Sequence, residues 1–217
     1  MGSITRSFAN NIGTSGILKA GAFNNASLNN VTALNAAVAT GNMVLISSQT
    51  ASDSASISFT TGIDSTYKEY QFWFVDIHAR NDTVQFQFNG STDSGSNYNV
   101  TKTTTAFEAY NLESGGSEAL GYESSWDLAQ STAFQPLCVN NGNGADESNS
   151  GYLSLFNPAS TTYVKHFISV SNANSASNYC INDFIAGYMN TTSAVNAIQF
   201  KMSSGNFDGT ILMYGIK

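Results

Sequence analysis

Charge is scarce in this chain. Asp, Glu, Lys and Arg make up only 11% of its 217 residues, against roughly a quarter in an average soluble protein. Solubility therefore falls to Asn, Ser, Thr and Gly, whose short polar groups bond their own backbone in turns. Positive charge is scarcest: Arg6, Lys19, Lys68, Arg80, Lys102, Lys165, Lys201 and Lys217 stand apart from one another, and the net charge is −7. A nucleic-acid binder needs clustered cations to displace counterions from phosphates, so the sequence predicts no nucleic-acid partner. The same lack argues against an anionic membrane surface. No apolar run approaches the roughly 18 residues of a spanning helix, so no membrane insertion is expected. The opening MGSITRSFANN lacks the charged-then-apolar layout of a secretory signal. Arg6 stands where a myristoylation pattern has Ser or Thr.

The residues of catalysis are few. The two histidines, His78 and His166, fall in strand-like stretches far from each other, with no H-x-x-x-H or C-x-x-C. A zinc site wants three or four closely spaced ligands, so no metal site is predicted. There is no G-x-S-x-G elbow and no phosphate-binding glycine loop. The two cysteines, Cys138 and Cys180, read as buried small hydrophobes in strands rather than as a bridge. The expectation is a protein without catalytic residues and without a cofactor.

Two polar segments still carry chemistry to weigh. In 110–127 the carboxylates Glu113, Glu118, Glu123 and Asp127 lie among Tyr110, Tyr122 and Trp126. Paired carboxylates hydrolyse glycosides in some folds, but a solvated acidic loop is the plainer reading. Glycan contact is the sharper one: Tyr110, Tyr122 and Trp126 would offer flat faces and the carboxylates would accept sugar hydroxyls. A buried Trp126 is the simpler account of that residue. The loop 141–147 holds hard oxygen donors between glycines. It departs from the EF-hand pattern, and loop solubility accounts for it as well as calcium does.

What the chain has in abundance is two-residue alternation. Tyr70, Phe72 and Phe74, then Val84, Phe86 and Phe88, place large apolar groups on one side of extended backbone. Strands are expected over 43–48, 55–59, 69–78, 84–89, 104–110, 134–139, 151–157, 163–171, 181–190, 194–202 and 209–216. Polar clusters such as Asn89-Gly90 and Asn157-Pro158 divide them as turns. A helix of one or two turns is expected over 123–129. Many short strands with polar turns predict an all-β, antiparallel β-sandwich, jelly-roll-like, over 43–217. Residues 1–42 differ. Ile4, Phe8, Ile12, Ile17, Leu18 and Phe23 are split by Asn-Asn pairs and glycine. They are too sparse to form a core and too frequent for a disordered tail, and so read as an extended N-terminal arm that orders against a partner. A short helix over 30–39 is compatible with capping by Asn30 or Thr32.

Four stretches have a familiar ring: TGIDSTYKEYQF over 61–72, FQFNGSTDSGSNYNVTKTTT over 86–105, GTILMYGIK over 209–217, and ITRSFANN over 4–11. Together they resemble virion structural proteins of tailed phages of marine bacteria, cyanophages especially. The resemblance covers most of the chain and rests on turns and strands, with no catalytic residue in it. It implies a capsid decoration, knob or tail-appendage protein, assembled in the host cytoplasm and carried on the virion. The implied partners are copies of itself in a homo-oligomer and capsid or tail and neck proteins of the same particle. A receptor-binding tail-fibre or spike domain, or a lectin-like module meeting host-surface glycan, is the alternative.

Overall fold

A computed structural model describes residues 42–217. The proposed arm contacts at Ile4, Phe8, Ile12, Ile17, Leu18 and Phe23, and the short helix over 30–39, lie outside the described residues.

Twelve strands follow one another without a helix among the described residues: β1 (Met43–Ser54), β2 (Ile57–Phe59), β3 (Glu69–Ala79), β4 (Val84–Ser91), β5 (Lys102–Leu112), β6 (Glu118–Tyr122), β7 (Gln135–Asn141), β8 (Asn149–Phe156), β9 (Lys165–Asn174), β10 (Tyr179–Met189), β11 (Ala197–Met202) and β12 (Phe207–Ile216). They form two antiparallel sheets. The larger runs β1-β12-β3-β8-β9-β10-β5-β6 and the smaller β2-β11-β4-β7.

The pairing is nested: β1 with β12, β2 with β11, β3 with β8 and β4 with β7. A two-stranded ribbon nested in this way, and wound until β12 also meets β3 and β11 meets β4, is a jelly roll. The expected fold class is therefore observed. Two hairpins, β5–β6 and β9–β10, interrupt the ribbon. Both join the larger sheet beyond β8, so eight strands face four. The edge strand β7 of the smaller sheet reaches over β9 and β10, and the large sheet continues past it.

Alternation fills the space between the sheets. Tyr70, Phe72 and Phe74 of β3, Phe86 and Phe88 of β4, Phe59, Phe167, Phe200 and Phe207 are all at most 2% exposed. Phe200 is the hub, with ring centroids 5.3 Å from Phe74, 5.4 Å from Phe72 and 5.8 Å from Phe86. A bulge in β3 puts Asp76 at φ +50°. Opposite it Gly209 has φ +127°, and a Cβ there would come within 2.7 Å of the Asp76 carbonyl oxygen. Glycine at that place allows β12 to pass the bulge.

Three expectations are corrected. The segment 123–129 is a turn and an irregular edge rather than a helix. Its backbone is spent on β5, with Glu123 N–H donating to Ala106 O and Thr104 N–H to Leu128 O. Asn89-Gly90 is strand rather than turn. Asn89 is fully buried and donates to the carbonyls of Tyr98 and Thr132, and Gly90 leaves room where a Cβ would meet Met189 Sδ at 2.8 Å. Cys138 is buried, but Cys180 is exposed on β10, and both are free thiols.

Candidate functional site

The overhang of the large sheet creates a cleft of about 320 Å³, lined by Glu108, Tyr110, Trp126, Val139, Asn140, Tyr179 and Ile181. Its floor is the inward face of β5 and β10. Strict alternation sends Lys102, Thr104, Ala106, Glu108 and Tyr110 inward from β5, and Tyr179, Ile181, Asp183 and Ile185 inward from β10. Where β7 covers that face, the pattern closes into core. Beyond β7 only the Trp126 segment and Asn140 border it. Asn140 holds φ +53° at the end of β7.

The floor is acidic. Glu108 and Asp183 are direct cross-strand partners, an arrangement that sets like charges about 5 Å apart at Cβ and destabilises the pair. Glu108 is 8% exposed and Asp183 fully buried. The Asp183 carboxylate accepts the Val139 N–H through Oδ2 at 3.1 Å, while its buried Oδ1 has no partner. Burial pushes the Asp183 carboxyl up to about 7, and the charges of Glu108 and Glu123 push the same way. Burial, then Glu123, also raises Glu108. Cys138 beside Asp183 is raised well above the ordinary thiol value, chiefly by burial. The walls are aromatic. The Tyr110 and Tyr179 rings meet edge to face, 5.4 Å apart at 89°, and Trp126 packs against the core.

Of the three aromatic residues expected to contact glycan, the fold gathers two. Tyr110 and Trp126 line the cleft. Tyr122 pairs with Phe107 on the other face of the large sheet and donates to Asp127 Oδ2 at 2.5 Å. Glu113 and Glu118 are exposed around the β5–β6 turn. Glu108, Asp183 and Tyr179 were not singled out in the sequence. The signal was there, since all three hold inward positions in alternating strands, but polar residues at such positions read as breaks in the pattern.

The remaining polar groups are held in local networks. In the loop 141–147, Glu147 Oε2 accepts the Gly144 N–H at 2.6 Å and Asn141 donates to Val84 O and Cys138 O. Glu147 Oε2 is thus taken up by the loop and Asn141 Oδ1 by the Asn149 amide, and no cluster of three His, Cys, Asp or Glu able to hold a metal occurs among the described residues. His78 Nδ1 lies 2.7 Å from Glu147 O, and His166 lies beside Tyr188 on the outer face. Two lysines are fully buried: Lys102 donates to Asn89 Oδ1 and Val100 O, and Lys165 to Tyr163 O and Thr191 O. The loop after β4 is closed by Asp93, which accepts from Ser91 Oγ and from Asn97 N and Nδ2. These bonds hold its carboxyl at about 2.

A second surface is the outer face of the large sheet. One register row crosses all eight strands: Ser48, Leu212, Trp73, Tyr152, Val170, Phe184, Phe107 and Tyr122. Seven of the eight are apolar or aromatic and none is buried. Trp73 is 42%, Phe107 43% and Tyr122 57% exposed. Phe107 and Phe184 stack at 4.7 Å, and Trp73 lies 6.0 Å from Tyr152. Ile168 is also exposed on this face.

Comparison with known proteins gives no match: no family model, no curated protein and no solved structure is similar to this chain.

Proposed function

We propose that this chain is a non-enzymatic structural protein of a tailed-phage virion, a decoration or appendage subunit that assembles through the outer face of its large sheet. The observation that carries this reading is the apolar row running without a charge from β12 to β6. Soluble monomers rarely leave a continuous line of exposed aromatic and aliphatic side chains open, and contiguous apolar patches mark assembly sites. Eight strands at their usual spacing make the row roughly 34 Å long, and with the mixed rows beside it, which hold Gln71, Ser154, Asn172, Asn182 and Thr105, the face measures roughly 700 Å², close to one side of a standard protein–protein interface. The molecule carries a net charge of −7, so copies repel one another, and a contact row without charged side chains, with Glu69 and Glu118 at the margins of the face, lets like molecules approach.

The likeness of 61–72, 86–105 and 209–217 to phage virion proteins supports the same reading, and jelly rolls are common in viral shells. Fold alone does not assign a role. The partners are capsid or tail and neck proteins and further copies of the chain, with the apolar residues of 1–42 as the anchor. Many modest contacts on a symmetric particle would hold firmly through multivalency. The test is copy number in purified particles. Hundreds of copies identify a decoration protein and a few tens or fewer an appendage. Absence from particles ends the virion reading. Removal of residues 1–42 is expected to leave a folded sandwich that no longer joins particles, because 43–217 holds its own core. Normal incorporation of the truncated chain would show that the anchor lies elsewhere.

A further inference from the structure

The acidic floor of the cleft lacks a counter-charge. The charged groups acting on Asp183 are Glu108 and Glu123, both acidic, and Glu108 is affected by Glu123. The groups facing the pair are Cys138 and Val139 from β7, Tyr110 from β5, Tyr179 and Ile181 from β10, and Glu123 and Trp126 from the segment after β6; none is basic. The buried lysines belong to other networks. Glu108 is more than nine-tenths buried, lines the cleft, and its carboxyl makes no hydrogen bond among the described residues. The residue is buried, and its carboxylate borders the cleft beside the aromatic rings without a protein partner among the described residues.

We propose that this cleft binds an ammonium-type cation, a quaternary or primary alkylammonium group, with Glu108 as its counter-charge and Tyr110, Tyr179 and Trp126 as its walls. In the edge-to-face pair of Tyr110 and Tyr179 one ring turns its edge to the other and keeps its own negative faces free, and a free ring face suits a cation with an apolar sheath. The Glu108 carboxylate beside the rings supplies the opposite charge at the edge of the protein interior, where a charge pair is stronger than in bulk water. The volume, about 320 Å³, lies at the small end of ligand sites and suits a head group rather than a chain of sugars. Charge decides between a cation and a saccharide. A neutral sugar would hydrogen-bond to Glu108 but leave its repulsion with Asp183 in place. A cation relieves that repulsion and satisfies the carboxylate in one step. Binding requires Glu108 to be ionised and gains from the ionisation of Asp183 behind it. Affinity is therefore expected to rise with pH up to and through 7, with release of protons to the buffer. This proposal stands on the cleft alone and does not depend on the virion reading.

The test is calorimetric titration of the full chain with choline, with n-butylammonium, with the uncharged carbon isostere of choline in which tert-butyl replaces trimethylammonium, and with glucose and galactose. The two cations separate a quaternary head group from a lysine-like amine. The expected result is binding of at least one cation with Kd of about 1 mM or tighter, about tenfold weakening or more for the isostere, and a similar loss in Glu108→Gln. That variant removes the charge, keeps the shape and relieves a repulsion, so it is expected to fold. Trp126→Ala is the second variant, read with a circular-dichroism check because the ring also touches the core. Equal binding of cation and isostere, unchanged affinity in Glu108→Gln, binding of saccharide but not cation, or no cation binding at all would each overturn the proposal. The saccharide result would instead favour a lectin-like role for the same cleft.

Discussion

Phe200 touches more of the core than any other ring described here, with Phe59, Phe72, Phe74, Phe86 and Phe88 all within 6.3 Å of its centroid. It sits on β11, between β2 and β4, and reaches across to β3. Truncation to alanine removes a buried ring and leaves a cavity bordered by five others, which collapse only in part. Phe200→Ala is expected to lower stability by about 3–5 kcal/mol, and Phe200→Leu by much less. Urea unfolding checks this, and a loss below about 1 kcal/mol for alanine would mean that the two sheets can close over the gap. Most of this cluster was legible as sequence, because Phe72, Phe74, Phe86 and Phe88 follow strict alternation. Glu108, Asp183, Lys102 and Lys165 were not. They hold inward positions of the same kind, yet their chemistry argues for solvent, and only the sheet overhang and the local carbonyls explain how they are accommodated.

Strand β6 shows what alternation cannot reveal. All five of its residues are exposed, so it has no buried face to give it a period, and it is placed by its ladder to β5. The neighbouring segment Glu123–Ala129 was expected to be a helix of one or two turns. In the structure its N–H and C=O groups extend the β5 ladder, a tertiary contact that local propensity does not register. The outer apolar row was hidden for a related reason. Each strand contributes only one member, and strand order must be known before Trp73, Phe184 and Phe107 fall into line. Charge placed in that row tests its role. Trp73→Lys with Phe107→Lys changes two side chains that are each more than 40% exposed but rest on Tyr152 and Phe184, so a loss of about 1–3 kcal/mol in stability is expected and a circular-dichroism spectrum checks that the double variant is folded. Self-association, measured by light scattering on an eluting peak, and incorporation into particles are both expected to fall sharply. Undiminished assembly of the double variant would move the interface to another face.

Across the described residues, the wound ribbon buries two acids, Asp183 and Glu108, and two bases, Lys102 and Lys165, without pairing them. The consequence is an unusual dependence of stability on pH. Asp183 has its pKa raised from the ordinary 3.8 to about 7. Between those values the unfolded chain has released a proton that the folded chain keeps, so stability falls as pH rises from 4 to 7, by up to roughly 4 kcal/mol. The raised Glu108 adds to the same trend. Lys102 has its pKa lowered from 10.5 to about 7 by burial. From 7 upward the folded chain sheds a proton that the unfolded chain retains, so stability climbs again. Near pH 9 the buried Cys138 and the raised Tyr70 begin to oppose this, since the unfolded chain then ionises first. Below 4 the turn carboxylates Asp64, Asp93 and Asp208, all lowered by their hydrogen bonds, lose their contribution as they protonate. The expected profile has maxima near pH 4–5 and pH 9 with a trough near 7. Urea midpoints at pH 5, 7 and 9 measure it. Asp183→Asn keeps an oxygen for the Val139 N–H and is expected to remove most of the fall from 5 to 7; Lys102→Met is expected to remove the rise from 7 to 9. A wild-type maximum at pH 7 would mean that neither group carries the charge penalty its burial implies.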